Sequence, residues 1–129
     1  MILPITLTAA AAAAALNMWL SIRIGMLRSS KKIFMGDGGD ESLICRMRAQ
    51  ANFVENTPIV LILIGAVELA RGQNPWLMGV SAVYMLGRAA HGVGMDGGVF
   101  GPGRAVGAMT TMATQLGLAV WAVTIALDM

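Results

Sequence analysis

The sequence is poor in charge and almost free of cysteine. Of its 129 residues only 12% are charged, whereas 57% are hydrophobic. A soluble domain of this size could not bury so much apolar surface, so the composition argues against a soluble globular protein. The single cysteine, Cys45, excludes an internal disulfide and fits a reducing compartment. A net charge of +2 is too small to indicate that nucleic acid is a partner.

Several signatures of catalysis and transport are also missing. The chain has no phosphate-binding glycine loop, no catalytic Ser–His–Asp set and no paired cysteines. Its first apolar run has no acidic residue, which argues against a small proton-coupled exporter. Asp37 and Asp40 lie in a glycine-rich segment, but two carboxylates without further oxygen ligands make a poor calcium site. We therefore predict a solvated turn there and no metal site.

Long apolar runs dominate what is present. A membrane-spanning helix needs about 20 apolar residues at a rise of about 1.5 Å each. The pattern predicts an all-α membrane protein, a bundle of four transmembrane helices in a single domain over 1–129. The predicted helices cover residues 2–27, 41–71, 75–93 and 102–127. Pro75 and Pro102 suit the first turns of the last two helices.

Basic residues orient these helices. The run from Ile2 to Ala15 looks like a signal-peptide core, but its basic residues follow it rather than precede it, so we predict a retained helix. One side of the membrane holds Arg71 alone. The opposite side holds eight basic residues, namely Arg23, Arg28, Lys31, Lys32, Arg46, Arg48, Arg88 and Arg104. The positive-inside rule places that side in the cytoplasm and both termini outside.

Polar side chains share one face of the predicted second helix. Arg48, Asn52 and Glu55 follow one another at four and three residues, so they stack on one side. Charged groups at membrane depth are costly and usually face a bundle interior, a partner or a ligand. We interpret this face as a candidate site. The alternative is that Arg48 and Glu55 pair within or between helices and only hold the bundle together.

A second polar face is predicted on the third helix, where Tyr84, Arg88 and His91 recur at four and three residues. Arg104 lies in the first turn of the fourth helix, near free N–H groups and the positive end of the helix dipole. With the basic residues of the first two helices, these groups should meet around one carboxylate, Glu55. Such an excess of cations calls for an anionic ligand. The alternatives are snorkelling of the arginines to lipid phosphates and a core histidine bonded to a helix carbonyl.

These motifs resemble those of the MAPEG family, the membrane-associated proteins of eicosanoid and glutathione metabolism. The stretch 48–55, RAQANFVE, is similar to the family's second-helix signature, and 87–91, GRAAH, to its third-helix motif. The interval from His91 through Pro102 to Arg104 is similar to the branch of prostaglandin E synthase and microsomal glutathione transferase. The stretch 28–34, RSSKKIF, resembles the first cytoplasmic loop of that branch.

The resemblance implies a four-helix protomer in a homotrimer of a bacterial inner membrane. Glutathione would be the cosubstrate, bound between neighbouring subunits at the cytoplasmic side. Arg104 would be the catalytic residue that activates the thiol. The glutathione-binding residues implied are Arg28, Arg48, Asn52, Glu55, Arg88 and His91. Among these, Glu55 and Asn52 would hold the γ-glutamyl ammonium, and the arginines would bind carboxylates through their planar forks.

The implied activity is that of a membrane glutathione transferase or peroxidase acting on lipophilic electrophiles or hydroperoxides dissolved in bilayer lipid. Where the branch carries a tyrosine, a serine, an aromatic residue and an arginine, this chain has Met95, Ala105, Ala108 and Ala51. Prostaglandin isomerase chemistry is therefore not expected. The alternative is a non-catalytic ligand-binding or structural membrane trimer on the same scaffold.

Overall fold

The computed structural model describes residues 1–97 and 101–128, and these form an all-helical bundle. Its helices are α1 (Pro4–Lys31), α2 (Glu41–Arg71), α3 (Pro75–Gly94) and α4 (Pro102–Leu127), and a 3-10 turn (Met95–Gly97) follows α3. The prediction of an all-α protein with four helices is confirmed. The first helix continues one turn beyond its predicted end at residue 27.

Three of the helices, α1, α2 and α4, are long and apolar enough to cross a membrane. The remaining helix, α3, has 20 residues and so extends for about 30 Å, close to the thickness of the hydrocarbon core. It carries Arg88 and His91, and both of these side chains are buried inside the protein.

The end of α1 and the start of α2 are joined by a compact turn. Asp40 caps α2 by accepting a hydrogen bond from the backbone N–H of Leu43 at 2.9 Å, and it forms an ion pair with Lys31. The Lys31 ammonium, together with hydrogen bonds from Ser42 and Leu43, holds the pKa of the Asp40 carboxyl well below its usual range. Asp37 accepts from the N–H of Gly39 at 2.9 Å. Both carboxylates therefore stabilise the turn between α1 and α2 through hydrogen bonds.

The start of α1 has no side-chain cap of its own, and a buried acid of α2 replaces one. Glu68 accepts hydrogen bonds from the N–H of Ile5 at 2.9 Å, from the N–H of Thr6 at 2.8 Å and from the Thr6 hydroxyl at 2.6 Å. A negative charge at a helix N-terminus satisfies the free N–H groups and complements the helix dipole. Glu68, which the sequence analysis did not single out, thus ties α1 to α2.

Glycines set the contact between α3 and α4. A Cβ built on Gly107 would overlap the Cβ of His91 and would lie 2.8 Å from the carbonyl oxygen of Gly87. A Cβ on Gly94 would overlap the backbone nitrogen of Arg104. Small residues allow helices in a membrane to approach to backbone contact. The first turn of α4 therefore lies directly on the last turns of α3.

Hydrogen bonds between polar side chains link the helices farther along the bundle. Tyr84 of α3 and Thr57 of α2, both buried, share a hydrogen bond of 2.9 Å between their hydroxyl groups. Gln115 of α4 donates to Oδ1 of Asn56 of α2 at 3.0 Å. Such bonds satisfy polar groups that lipid could not. Tyr84 therefore makes an interhelical contact rather than extending the candidate site.

Candidate functional site

An open groove of about 860 Å³ lies where the first turns of α2 and α4 meet the end of α3. Its basic lining residues are Arg46, Arg48 and Arg104, and its acidic ones are Glu41 and Asp96. The other lining residues are Leu27, Ser42, Ile44, Cys45 and Met95. The groove therefore brings together two predicted site residues, Arg48 and Arg104, from two different helices. Three arginines and two acidic residues thus surround one groove, and guanidinium groups are suited to binding carboxylates.

The polar face of α2 points out of the protomer. Arg48 and Glu55 are exposed, and among the residues that the structure describes neither forms an ion pair. The alternative in which these two side chains pair within one protomer is therefore wrong for the described part of the chain. Glu55 lies along an apolar helix that can cross a membrane, where a charged group is costly.

Arg88 is buried and does not reach a headgroup. Only 2% of the residue is exposed, and its Nη1 donates to the hydroxyl of Thr111 at 2.9 Å. Its guanidinium carbon lies 5.8 Å from the ring centroid of Phe53. Snorkelling to lipid phosphate is therefore excluded for this arginine. His91 is buried beside it, and the positive charges of Arg88 and Arg104 both act on the imidazole.

Three buried polar atoms lack a hydrogen-bond partner within residues 1–97 and 101–128. They are Oδ1 of Asn52, Nε of Arg88 and Nδ1 of His91. Buried polar atoms are rarely left unpaired, and each such exception calls for an explanation. All three belong to residues that the sequence analysis selected as ligand-binding. None of the three residues lines the groove, so these atoms lie inside the bundle beside it.

Five predicted site residues do not line the groove, namely Arg28, Asn52, Glu55, Arg88 and His91. Arg28 has partners of its own within the turn after α1. Its Nη1 donates to the carbonyl oxygens of Ile33 at 3.1 Å and Gly36 at 2.7 Å, and Nη2 lies 3.5 Å from the sulfur of Met47. Within the protomer this guanidinium therefore holds the turn between α1 and α2 against the end of α1.

An acidic residue that the sequence analysis did not select lies among the cations. Asp96, in the 3-10 turn after α3, forms ion pairs with Arg23 of α1 and Arg46 of α2. The expectation that Glu55 is the one carboxylate among the basic groups is therefore wrong. Glu55 does not line the groove, and Asp96 does. The sequence offered one indication of this role, because Asp96 directly follows the predicted third helix on the basic side of the membrane.

The matched region covers nearly the whole bundle. Residues 6–124 match the model of the MAPEG family. The matched residues include α2, α3 and every residue that lines the groove. A comparison with curated proteins finds no significant match. The family match, the three helices able to cross a membrane and the arginine-lined groove agree with one another. The chain is therefore an integral membrane protein and belongs to the MAPEG family.

Proposed function

We propose that the protein is a membrane glutathione transferase or peroxidase of the branch that includes prostaglandin E synthase and microsomal glutathione transferase. The observation that carries this proposal is the groove in which Arg48 of α2 and Arg104 of α4 meet. Glutathione has two carboxylates, one ammonium and one thiol. Planar guanidinium groups bind carboxylates through two parallel hydrogen bonds, so a groove with several arginines suits this tripeptide.

The remaining groups of glutathione have candidate partners outside the groove. Asn52, Arg88 and His91 each keep a buried polar atom without a partner among the described residues. Glu55 is the acid on the same face of α2 as Arg48, and it suits the γ-glutamyl ammonium. Because Glu55 is exposed on its own protomer, it is accessible to a ligand bound between two copies of the chain. This supports a homotrimer with glutathione between subunits.

Arg104 would act on the sulfur. A free thiol has a pKa of about 8.5 and is mostly protonated at neutral pH. A guanidinium and a helix N-terminus near sulfur both stabilise the thiolate, which is the nucleophile. Lowering the thiol pKa by about one unit requires only ~1.4 kcal/mol. In a transferase the thiolate would form a C–S bond with an electrophilic carbon as the leaving group departs with the electron pair of its bond to that carbon. In a peroxidase it would attack the O–O bond, releasing the alcohol and leaving a sulfenic acid of glutathione, which a second glutathione converts to the disulfide and water.

A second groove supports a lipophilic second substrate. It has a volume of about 1080 Å³ and lies between α3 and α4. Its α4 side runs from Thr110 to Trp121, and its α3 side, from Pro75 to Val83, is apolar. Thr110 lies six residues from Arg104, which is about 9 Å along the helix. An apolar electrophile or hydroperoxide dissolved in bilayer lipid could therefore bind in this groove, within about 9 Å along α4 of Arg104.

The distribution of basic residues supports an orientation in the membrane. We propose that the groove faces the cytoplasm of a bacterial inner membrane, with both termini outside. The basic residues at this end of the bundle, including exposed Lys31 and Lys32, support that orientation. The two lysines are also placed to contact phosphates of membrane lipids.

A non-catalytic trimer on the same scaffold is the second candidate. Met95 lines the groove where the branch has a tyrosine, and Ala105 and Ala108 are exposed where the branch has a serine and an aromatic residue. Several hydroxyl donors and a stacking ring are thus missing. This candidate predicts glutathione binding without thiolate absorbance and without conjugation of an aromatic electrophile.

Thermal unfolding in detergent tests the proposal. Glutathione at ten times its Kd should stabilise the wild-type protein by about 1.4 kcal/mol, which raises the Tm. Glu55→Ala should lose this stabilisation because the ammonium loses its carboxylate. Arg104→Ala should lose the ultraviolet absorbance of the bound thiolate.

Arg71→Ala is the matched control, because Arg71 is an exposed arginine at the other end of α2. It should respond to glutathione as the wild type does. An unchanged Tm of the wild-type protein at millimolar glutathione would count against the proposal. Stabilisation by glutathione without thiolate absorbance in the wild type would favour the non-catalytic candidate.

A further inference from the structure

A cluster of ion pairs joins the end of α3 to both α1 and α2. Asp96 is paired with Arg23 and with Arg46, and its Oδ1 lies 3.1 Å from Nε of Arg46. Arg46 donates from Nη1 to the carbonyl oxygen of Arg23 at 2.8 Å, and Arg23 donates from Nη1 to the carbonyl oxygen of Gly92 at 2.9 Å. One carboxylate thus ties three elements together.

The cluster differs from a mobile surface ion pair. The side chain of Arg23 is only 12% exposed, and its guanidinium lies 4.5 Å from the ring centroid of Trp19. Stacking on an aromatic ring and hydrogen bonds to charged groups hold this guanidinium in one place. Its bond to Gly92 also satisfies a free carbonyl in the last turn of α3. Exposed pairs without such support contribute little to structure.

Glycine contacts connect the cluster to Arg104. Gly94 comes two residues before Asp96, and a Cβ there would overlap the backbone nitrogen of Arg104. A Cβ on Gly103 would lie 2.7 Å from the carbonyl oxygen of Ala90. Backbone meets backbone at these points, so no flexible side chain can absorb a shift of the end of α3. A movement of that end therefore moves the first turn of α4.

We propose that Asp96 is a positioning residue for Arg104. Held by Arg23 and Arg46, it fixes the end of α3 and, through the glycine contacts, the place of Arg104 in the groove. It also keeps Arg46 engaged, so that an anionic ligand meets Arg48 and Arg104. The inference rests on the proposed function, because glutathione thiolate is the group that Arg104 would serve.

Two variants and two measurements test this role in the full chain in detergent. Asp96→Asn removes the charge of the cluster, and Arg46→Gln removes one ion pair while Arg23 keeps its contacts. Without glutathione, amide hydrogen exchange in residues 101–107 should become about tenfold faster in both variants, because the first turn of α4 is less restrained. With glutathione, the pH titration of thiolate absorbance should shift upward by about one pKa unit.

Asp128→Asn is the control, since Asp128 forms an exposed ion pair with Arg71 at the opposite end of the bundle. It should change neither measurement. Wild-type exchange rates in both variants would overturn the inference. Faster exchange with an unshifted thiolate titration would overturn it as well, because the cluster would then be only structural. Faster exchange in a protein whose wild-type form binds no glutathione would reject the proposed function and still support the placement of Arg104 by Asp96.

Discussion

Replacing Gly107 with valine should lower the free energy of unfolding by about 3 kcal/mol and separate α3 from α4. A Cβ at this position would overlap the Cβ of His91, and the carbonyl oxygen of Gly87 would lie only 2.8 Å away. Part of this obstacle is backbone, which cannot rotate aside as a side chain does. Unfolding monitored by circular dichroism in detergent measures the loss.

Gly117→Ala is the matched control for this variant because Gly117 lies in the same helix and an added Cβ there meets nothing within 4 Å. Alanine is a better helix former than glycine by about 1 kcal/mol, so this variant should be as stable as the wild type or slightly more stable. Equal stability of Gly107→Val and wild type would contradict the close contact between α3 and α4. Glutathione binding should be lost together with the fold in Gly107→Val.

Glu68→Ala should destabilise the protein by about 3–5 kcal/mol, since it leaves buried donors without an acceptor. The carboxylate accepts from Ile5, from Thr6 and from the Thr6 hydroxyl, and only 2% of Glu68 is exposed. Glu68→Gln should cost about half as much, because its amide oxygen accepts from some of these donors but the charge is lost. Chemical denaturation without glutathione measures both values.

Glu41→Ala controls for the loss of an acid from α2. Glu41 is exposed in the first turn of that helix, where a carboxylate contributes about 0.3–1 kcal/mol through the helix dipole. Hydrogen exchange adds a second readout, because the amides at the start of α1 should exchange faster in Glu68→Ala and not in Glu41→Ala. Equal stability of the two variants would show that the bonds from Glu68 to α1 do not hold the bundle.

Much of the helical organisation was predictable from local sequence. Apolar runs of membrane length determined α1, α2 and α4, and Pro75 and Pro102 occupy first turns as predicted. Asp40 caps α2 as its residue type favours. Such features depend on a few neighbouring residues, which is why a single sequence reveals them.

The direction of each polar face was not predictable in the same way. Arg48 on α2 and Arg88 on α3 follow the same helical spacing, yet Arg48 is exposed and Arg88 is buried against Thr111. Periodicity tells which residues share a face of a helix, but it does not tell what that face meets. The pairing of Asp96 with Arg23 was not predictable for the same reason, since 73 residues separate the two and only helix packing brings them together.

The sequence by itself determined a membrane-embedded chain of four helices with polar residues spaced along α2 and α3, because hydropathy and helical period are local properties. Only the tertiary structure decided that Glu68 caps α1 and that Asp96 is held between two arginines. It also decided that Arg48 and Arg104 share one groove. The physical reason is that these contacts join residues far apart in the chain, and the packing of helices at glycine contacts sets which of them meet.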